Sequence, residues 1–137
     1  MSGDVPDALC RNIAASPLAD EALSVVLHGG EPMTLPPDWY KEAFERIDND
    51  SGGRRVAHAF RTNAIGMTDR WIRLLRERNV RTCVSIDGPE DLHDTYRRTR
   101  GGRGSRAVSL RDAARLSETG LPFHLISVLT ADSLVQP

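Results

Sequence analysis

The 137-residue sequence has only two cysteines, Cys10 and Cys83, and they stand alone, with no CxxC, no CxxxCxxC and no histidine at ligand spacing beside either. An iron–sulfur cluster is ordinarily held by three or four cysteine thiolates, so these residues do not supply a normal cluster site. Cys10 falls in a helical stretch and Cys83 in an apolar strand-like run, where free cysteine serves as a small buried hydrophobe. A run of about 18 apolar residues is lacking, which argues against a membrane-spanning helix. The opening MSGDVPDALC also lacks the basic-then-apolar pattern of a secretory signal. These absences lead to the expectation of a cytoplasmic protein without disulfides.

Excess charge is missing too. The formal net charge is -1, which gives no electrostatic reason to expect nucleic acid or an anionic membrane as partner. Basic residues cluster from Arg97 to Arg106, but without the interleaved aromatics on which bases would stack. Gly101-Gly102-Arg103-Gly104 has the wrong spacing for a GxGxxG nucleotide loop and does not follow a strand. The stretch therefore reads as a solvated loop, and no nucleic-acid partner is expected. Internal repeats, low-complexity tracts and linkers are absent, so residues 1–137 read as a single domain. Hydrophobic residues make up 39% and charged residues 27%, enough for one ordinary globular core.

What the sequence does contain is an alternation. Ser24–His28, Val56–Thr62, Thr82–Ile86 and Phe123–Thr130 are apolar, β-branched and bounded by polar or Gly/Pro breaks, which predicts four strands. Helical patterns lie between them. One opens at Leu35-Pro36-Pro37-Asp38 and runs to about Ile47, with Trp39, Ala43, Phe44 and Ile47 on one face. Another starts at Thr68 or Asp69 and stops at Asn79, with Trp71, Ile72, Leu74 and Leu75 apolar. A third begins at Ser105 or Ser109 and ends before Gly120-Leu121-Pro122. A shorter helix, about Asp7–Ala15, precedes the first strand. Near-continuous apolar strands separated by helices predict an α/β fold with a parallel sheet.

Each predicted strand ends in polar residues: His28-Gly29-Gly30-Glu31, Arg61-Thr62-Asn63, Ser85-Ile86-Asp87-Gly88 and Thr130-Ala131-Asp132. Any one of these could be a turn or a helix cap. In a parallel α/β fold, however, all the C-terminal strand ends share one rim, so four in succession point to a ligand site there. Gly29 and Gly30 can adopt positive φ and leave the backbone bare for a close approach. Glu31 follows as a carboxylate suited to a ligand ammonium. His28 reads either as a site residue or as a hydrogen-bonded core residue, and His93 as a site residue or the cap of a short helix.

The order of these motifs resembles the radical S-adenosylmethionine (SAM) enzymes. Val25-Val26-Leu27-His28-Gly29-Gly30-Glu31-Pro32 is similar to the family's second strand and its GGEP motif, and Arg61-Thr62-Asn63-Ala64 to its TN motif. Val84-Ser85-Ile86-Asp87-Gly88-Pro89, with His93-Asp94 and Arg97, resembles the signature of the SPASM-type peptide and protein maturases. Gly101–Ser105 and Phe123–Thr130 resemble the family's Gly-rich turn and fifth strand. TNA in place of the commoner TNG, with the Arg97–Gly104 stretch, is most similar to the cyclophane-forming branch.

The resemblance implies a parallel-sheet, partial TIM-type barrel of about four βα units. It implies SAM as cofactor, with Glu31 and the Gly29-Gly30 backbone at its ammonium and Ser85 and Arg97 at its carboxylate. Thr62 and Asn63 would lie near the ribose, and Val128 with Leu129 would border the adenine. Asp87 could meet the ligand, cap the following turn or pair with an arginine. It also implies a 4Fe-4S cluster on a CxxxCxxC loop after the family's first strand, a motif these residues lack, so no metal ligand is assigned and no catalytic residue is named. The resulting expectation is a radical SAM-type modifier of a ribosomal peptide or protein that is inactive alone, being either a fragment of a longer maturase or a split subunit whose companion chain carries the cluster. The alternative is a degenerate barrel that binds SAM or a peptide without chemistry. A four-stranded slice would leave open sheet edges, a route to self-association.

Overall fold

The computed structural model describes residues 4–16 and 21–135. Its four strands, β1 (Ala22–Leu27), β2 (Arg55–Thr62), β3 (Arg81–Ser85) and β4 (Phe123–Ile126), form one sheet in chain order, and every pairing is parallel. Helix α1 (Asp4–Ala15) precedes the sheet. The crossovers carry α2 (Pro37–Asp50), α3 (Asp69–Glu77), and then α4 (Glu90–Tyr96) with α5 (Arg106–Glu118); α6 (Ala131–Leu134) follows β4. Sequential parallel strands joined by helices are the repeat of a TIM-type barrel, whereas a doubly wound sheet reverses its strand order. The fold is thus a four-stranded arc of such a barrel, the parallel sheet being predicted from the strand and helix pattern and the partial barrel implied by the resemblance. No described helix is long and apolar enough to cross a membrane.

The register explains the core. Leu27 pairs with Phe60, Phe60 with Thr82, and Thr82 with Phe123, so one row of side chains crosses the whole sheet on its helix-covered face. Helix α2 presents Tyr40, Ala43, Phe44 and Ile47 to that face at helical spacing, and α3 presents Trp71, Ile72, Leu74 and Leu75. Few aromatics are available, and they are concentrated here. The Tyr40 ring lies 4.9 Å from Phe60 and 5.5 Å from Trp71, and Phe60 lies 5.7 Å from Trp71. Edge and tilted contacts at these distances add about 0.5–1.5 kcal/mol per pair beyond area burial. Ser24, Val26, Ala57 and Arg61, which alternate with the covered row, are exposed.

α1 starts at Asp4, β1 at Ala22 and β2 at Arg55, earlier than expected, and β3 is shifted back by one residue to Arg81–Ser85; three further boundaries differ as well. β1 ends at Leu27, and His28 is exposed, so it is not a core residue; the glycine turn that follows leaves it nothing to pack on. β4 ends at Ile126, not Thr130, because polar groups divert the chain. Ser127 Oγ donates to the Ile86 carbonyl at 2.5 Å, Val128 N–H donates to Asp87 at 2.9 Å, and Thr130 caps α6. Helix α2 continues three residues past Ile47 to Asp50, with Ser51 Oγ donating to the Asp48 carbonyl.

Candidate functional site

The carboxyl ends of β1 and β2, with the chain between α4 and α5, line an open cavity of about 550 Å³ that the strand-end clusters after β3 and β4 do not reach, within the range of small-ligand sites. Its first wall comes from the turn after β1. Gly29 and Gly30 take φ of 87° and 60°, left-handed values that cost an L-residue about 1–2 kcal/mol each. A Cβ at either would touch nothing within 4 Å, so these glycines are needed for their backbone conformation. The turn delivers Glu31, whose carboxylate is half-buried and fixed from three sides. Met33 N–H donates to Oε1 at 3.0 Å, Thr62 Oγ1 to the same oxygen at 2.6 Å, and Asn63 N–H to Oε2 at 2.9 Å.

Thr62 and Asn63 also shape their own turn. Thr62 Oγ1 accepts from Ala64 N–H at 3.0 Å, and Asn63 Oδ1 accepts from Ile65 N–H at 2.8 Å. All the donors to Glu31 are neutral, and among the described residues it has no ion-pair partner. Its charge is felt nearby: burial first, then the Glu31 carboxylate, push the Tyr40 phenol up to about 12.

The opposite wall is the chain after α4. Arg97 reaches back to Asp87 at the end of β3, with Nε on Oδ2 and Nη2 3.2 Å from Oδ1. Asp87 Oδ1 also accepts from Val128 N–H. Burial opposes ionisation of Asp87, but the Arg97 and Val128 hydrogen bonds, with the Arg97 charge, outweigh it and hold its pKa below the ordinary carboxylate value. Arg97 Nη1 takes no part in this pair.

The structure thus brings Glu31, Asn63 and Arg97 onto the cavity wall, with Thr62 behind Glu31 and Asp87 behind Arg97. Gly29 and Gly30 sit at the turn before Glu31 and are exposed. Ser85 is half-buried beside Ile126, and Val128 is exposed and offers its backbone to Asp87; none of these four lines the cavity. Sequence reasoning did not assign Met33, Ile65, Arg98, Arg100 or Ser105 to the wall. For Ser105 a signal existed: it closes the glycine-rich turn and starts α5.

A carboxylate without a counter-charge facing a guanidinium across a cavity fits the zwitterionic end of an amino acid, ammonium to one and carboxylate to the other. A 4Fe-4S cluster does not fit. Cys10 is buried in α1 and Cys83 half-buried in β3, and the described residues hold no group of three or more His, Cys, Asp or Glu able to bind a metal.

Comparison with known proteins gives a consistent picture. The profile of the radical SAM superfamily matches residues 11–133. An uncharacterized protein of Synechocystis is 33% identical over 139 aligned residues, covering 98% of this chain and 35% of that protein. A serine-type anaerobic sulfatase-maturating enzyme of Bacteroides thetaiotaomicron is 33% identical over 102 residues, covering 74% of this chain and 25% of the enzyme. The chain therefore spans about a third or less of these relatives' length. Among solved structures, anSMEcpe with bound AdoMet and Cp18Cys peptide superimposes with a TM-score of 0.85 at 20% identity, over 99% of this chain and 37% of that one.

Proposed function

We propose, from the premise that this chain belongs to the radical SAM superfamily, that it forms the SAM-binding rim of an enzyme that modifies a peptide or protein. The observation that carries the reading is the Glu31 carboxylate, held by three neutral donors and lacking a cation, opposite Arg97. Glu31 would receive the methionine ammonium of SAM. Arg97, steadied by Asp87, would present its free Nη1 to the methionine carboxylate. Asn63 would lie along the ligand between them.

In this family, SAM and a 4Fe-4S cluster together would supply radical chemistry toward the substrate. The residues of this chain would bind and orient. They offer no cluster ligand set, so the thiolates would come from outside these 137 residues, on a companion chain or a further part of the protein. A peptide or protein substrate is supported by the sulfatase-maturating relatives and by the peptide in the superimposed structure.

Calorimetric titration of the purified chain with SAM tests the binding half directly. Wild type is expected to bind, and Glu31→Gln and Arg97→Ala each to weaken binding by about tenfold to a hundredfold, the scale of a lost charge-assisted hydrogen bond. A folded wild-type chain that ignores SAM would overturn the reading.

A further inference from the structure

Beneath the Arg97 wall, four groups form a directed hydrogen-bond chain. Asp87 N–H donates to His93 Nδ1 at 3.1 Å. His93 Nε2 lies 3.2 Å from Ser105 Oγ, and Ser105 Oγ donates to the Arg97 carbonyl at 2.9 Å. A hydroxyl has one proton. Ser105 gives that proton to Arg97, so it accepts from His93. One tautomer satisfies every link: neutral imidazole with its proton on Nε2.

The ends of this chain are the backbones of the two residues that form the ion pair. His93 also accepts Arg97 N–H on its own carbonyl at 2.8 Å, so it grips Arg97 directly and through Ser105. His93 has no solvent exposure, whereas the Arg97 side chain is 30% exposed toward the cavity. The neighbouring Asp94 holds the far end in place, its Oδ1 accepting Ser105 N–H at 2.8 Å and Arg106 N–H at 2.9 Å. Gly104 makes that contact possible, since a Cβ there would fall 2.0 Å from Asp94 Oδ2.

We propose that His93 is a positioning residue that, through Asp87 and Ser105, fixes the backbone separation of the Asp87–Arg97 pair and thereby sets recognition of the ligand carboxylate. This rests on the reading that Arg97 receives the SAM carboxylate. It differs from a plain core role in one respect: loss of His93 should discriminate between ligands that have the carboxylate and ligands that lack it.

Calorimetry on the full chain with SAM and with its decarboxylated analogue decides the matter. His93→Phe and Ser105→Ala are expected to weaken SAM by about tenfold, one to two hydrogen bonds' worth, and the analogue by less than about twofold. Ser105→Thr keeps the hydroxyl and should restore SAM binding. Ser105→Ala carries the test if His93→Phe does not fold. Equal losses for both ligands, or none, would overturn the proposal while leaving the SAM-binding reading of the wild type standing. A wild-type chain that binds neither ligand would overturn the functional reading and this proposal together. Ring-nitrogen NMR of the wild type at neutral pH should show the Nε2–H tautomer; a charged ring or the other tautomer would also overturn it.

Discussion

Ala64 is where side chain and backbone pull apart. It has a φ of 63°, no solvent exposure and a place in the main hydrophobic core. Glycine there would relieve a left-handed cost of about 1–2 kcal/mol. It would also lose a buried methyl, about 0.8 kcal/mol, and about 0.4–1 kcal/mol through a freer unfolded chain. The effects oppose one another, so Ala64→Gly should change stability by less than about 1 kcal/mol in urea unfolding. Ala64→Val puts a β-branched side chain at positive φ in a filled site and should cost about 3 kcal/mol or more. A marked gain from the glycine would show that backbone strain, not packing, dominates. The residue scale is also where the sequence was least legible. Glu31 and Thr62-Asn63 each stood out by type, but their hydrogen bonds join positions 31 and 32 apart. Periodicity and local turn rules carry no information across that separation.

At the scale of elements, the strands were legible because β-branched and apolar residues fill their covered positions, and α2 and α3 because their buried faces keep helical spacing. Helix α4 was not placed: it is seven residues long and buries only Leu92 and His93. The end of β4 was missed because Ser127 and Val128 are redirected by Ile86 and Asp87, just past the end of β3, a tertiary effect that overrides strand propensity. These junctions depend on ionisation. Asp112 of α5 accepts Gly66 N–H at 2.8 Å and so ties α5 to the loop after β2. Burial raises its pKa, but Arg111, the Gly66 N–H and the charges of Arg111 and Arg115 outweigh that and lower it. For His93, burial and then Arg97 lower the pKa, Asp87 and Asp94 raise it, Arg106 lowers it, and the net direction is down from 6.5. The signs then follow. A depressed histidine contributes stability above 6.5 that is lost as pH falls from there toward its folded value. The depressed Asp87 and Asp112 contribute stability above 3.8 that is lost as pH falls below it. Thermal melts from pH 8 downward should show a first decline beginning near 6.5 and a second below 3.8. His93→Phe should flatten the first and leave the second; an unchanged first decline would place its origin elsewhere.

At the largest scale, the described sheet has two edge strands. β1 and β4 each pair on one side only among the described residues, and an unpaired parallel edge is a template for another chain. The two edges are not equal. In and beyond β4, Leu125 is 62% exposed, Val128 56%, Leu129 75%, Leu134 72% and Val135 78%, whereas on β1 Val26 is 38% exposed. Apolar side chains flanking an open edge are a driving force for association that single exposed residues are not. The chain should therefore associate through its β4 side. Sedimentation velocity on the purified chain is expected to show a weight-average mass that rises with concentration. Leu125→Lys with Leu134→Lys should hold it at the monomer, because charge on an edge opposes strand addition. The same substitutions lie outside the cavity wall, so SAM titration reports separately whether the rim still forms. A chain that stays monomeric across the concentration range, or a double variant that associates as the wild type does, would mean that the β4 edge is not the surface that drives assembly.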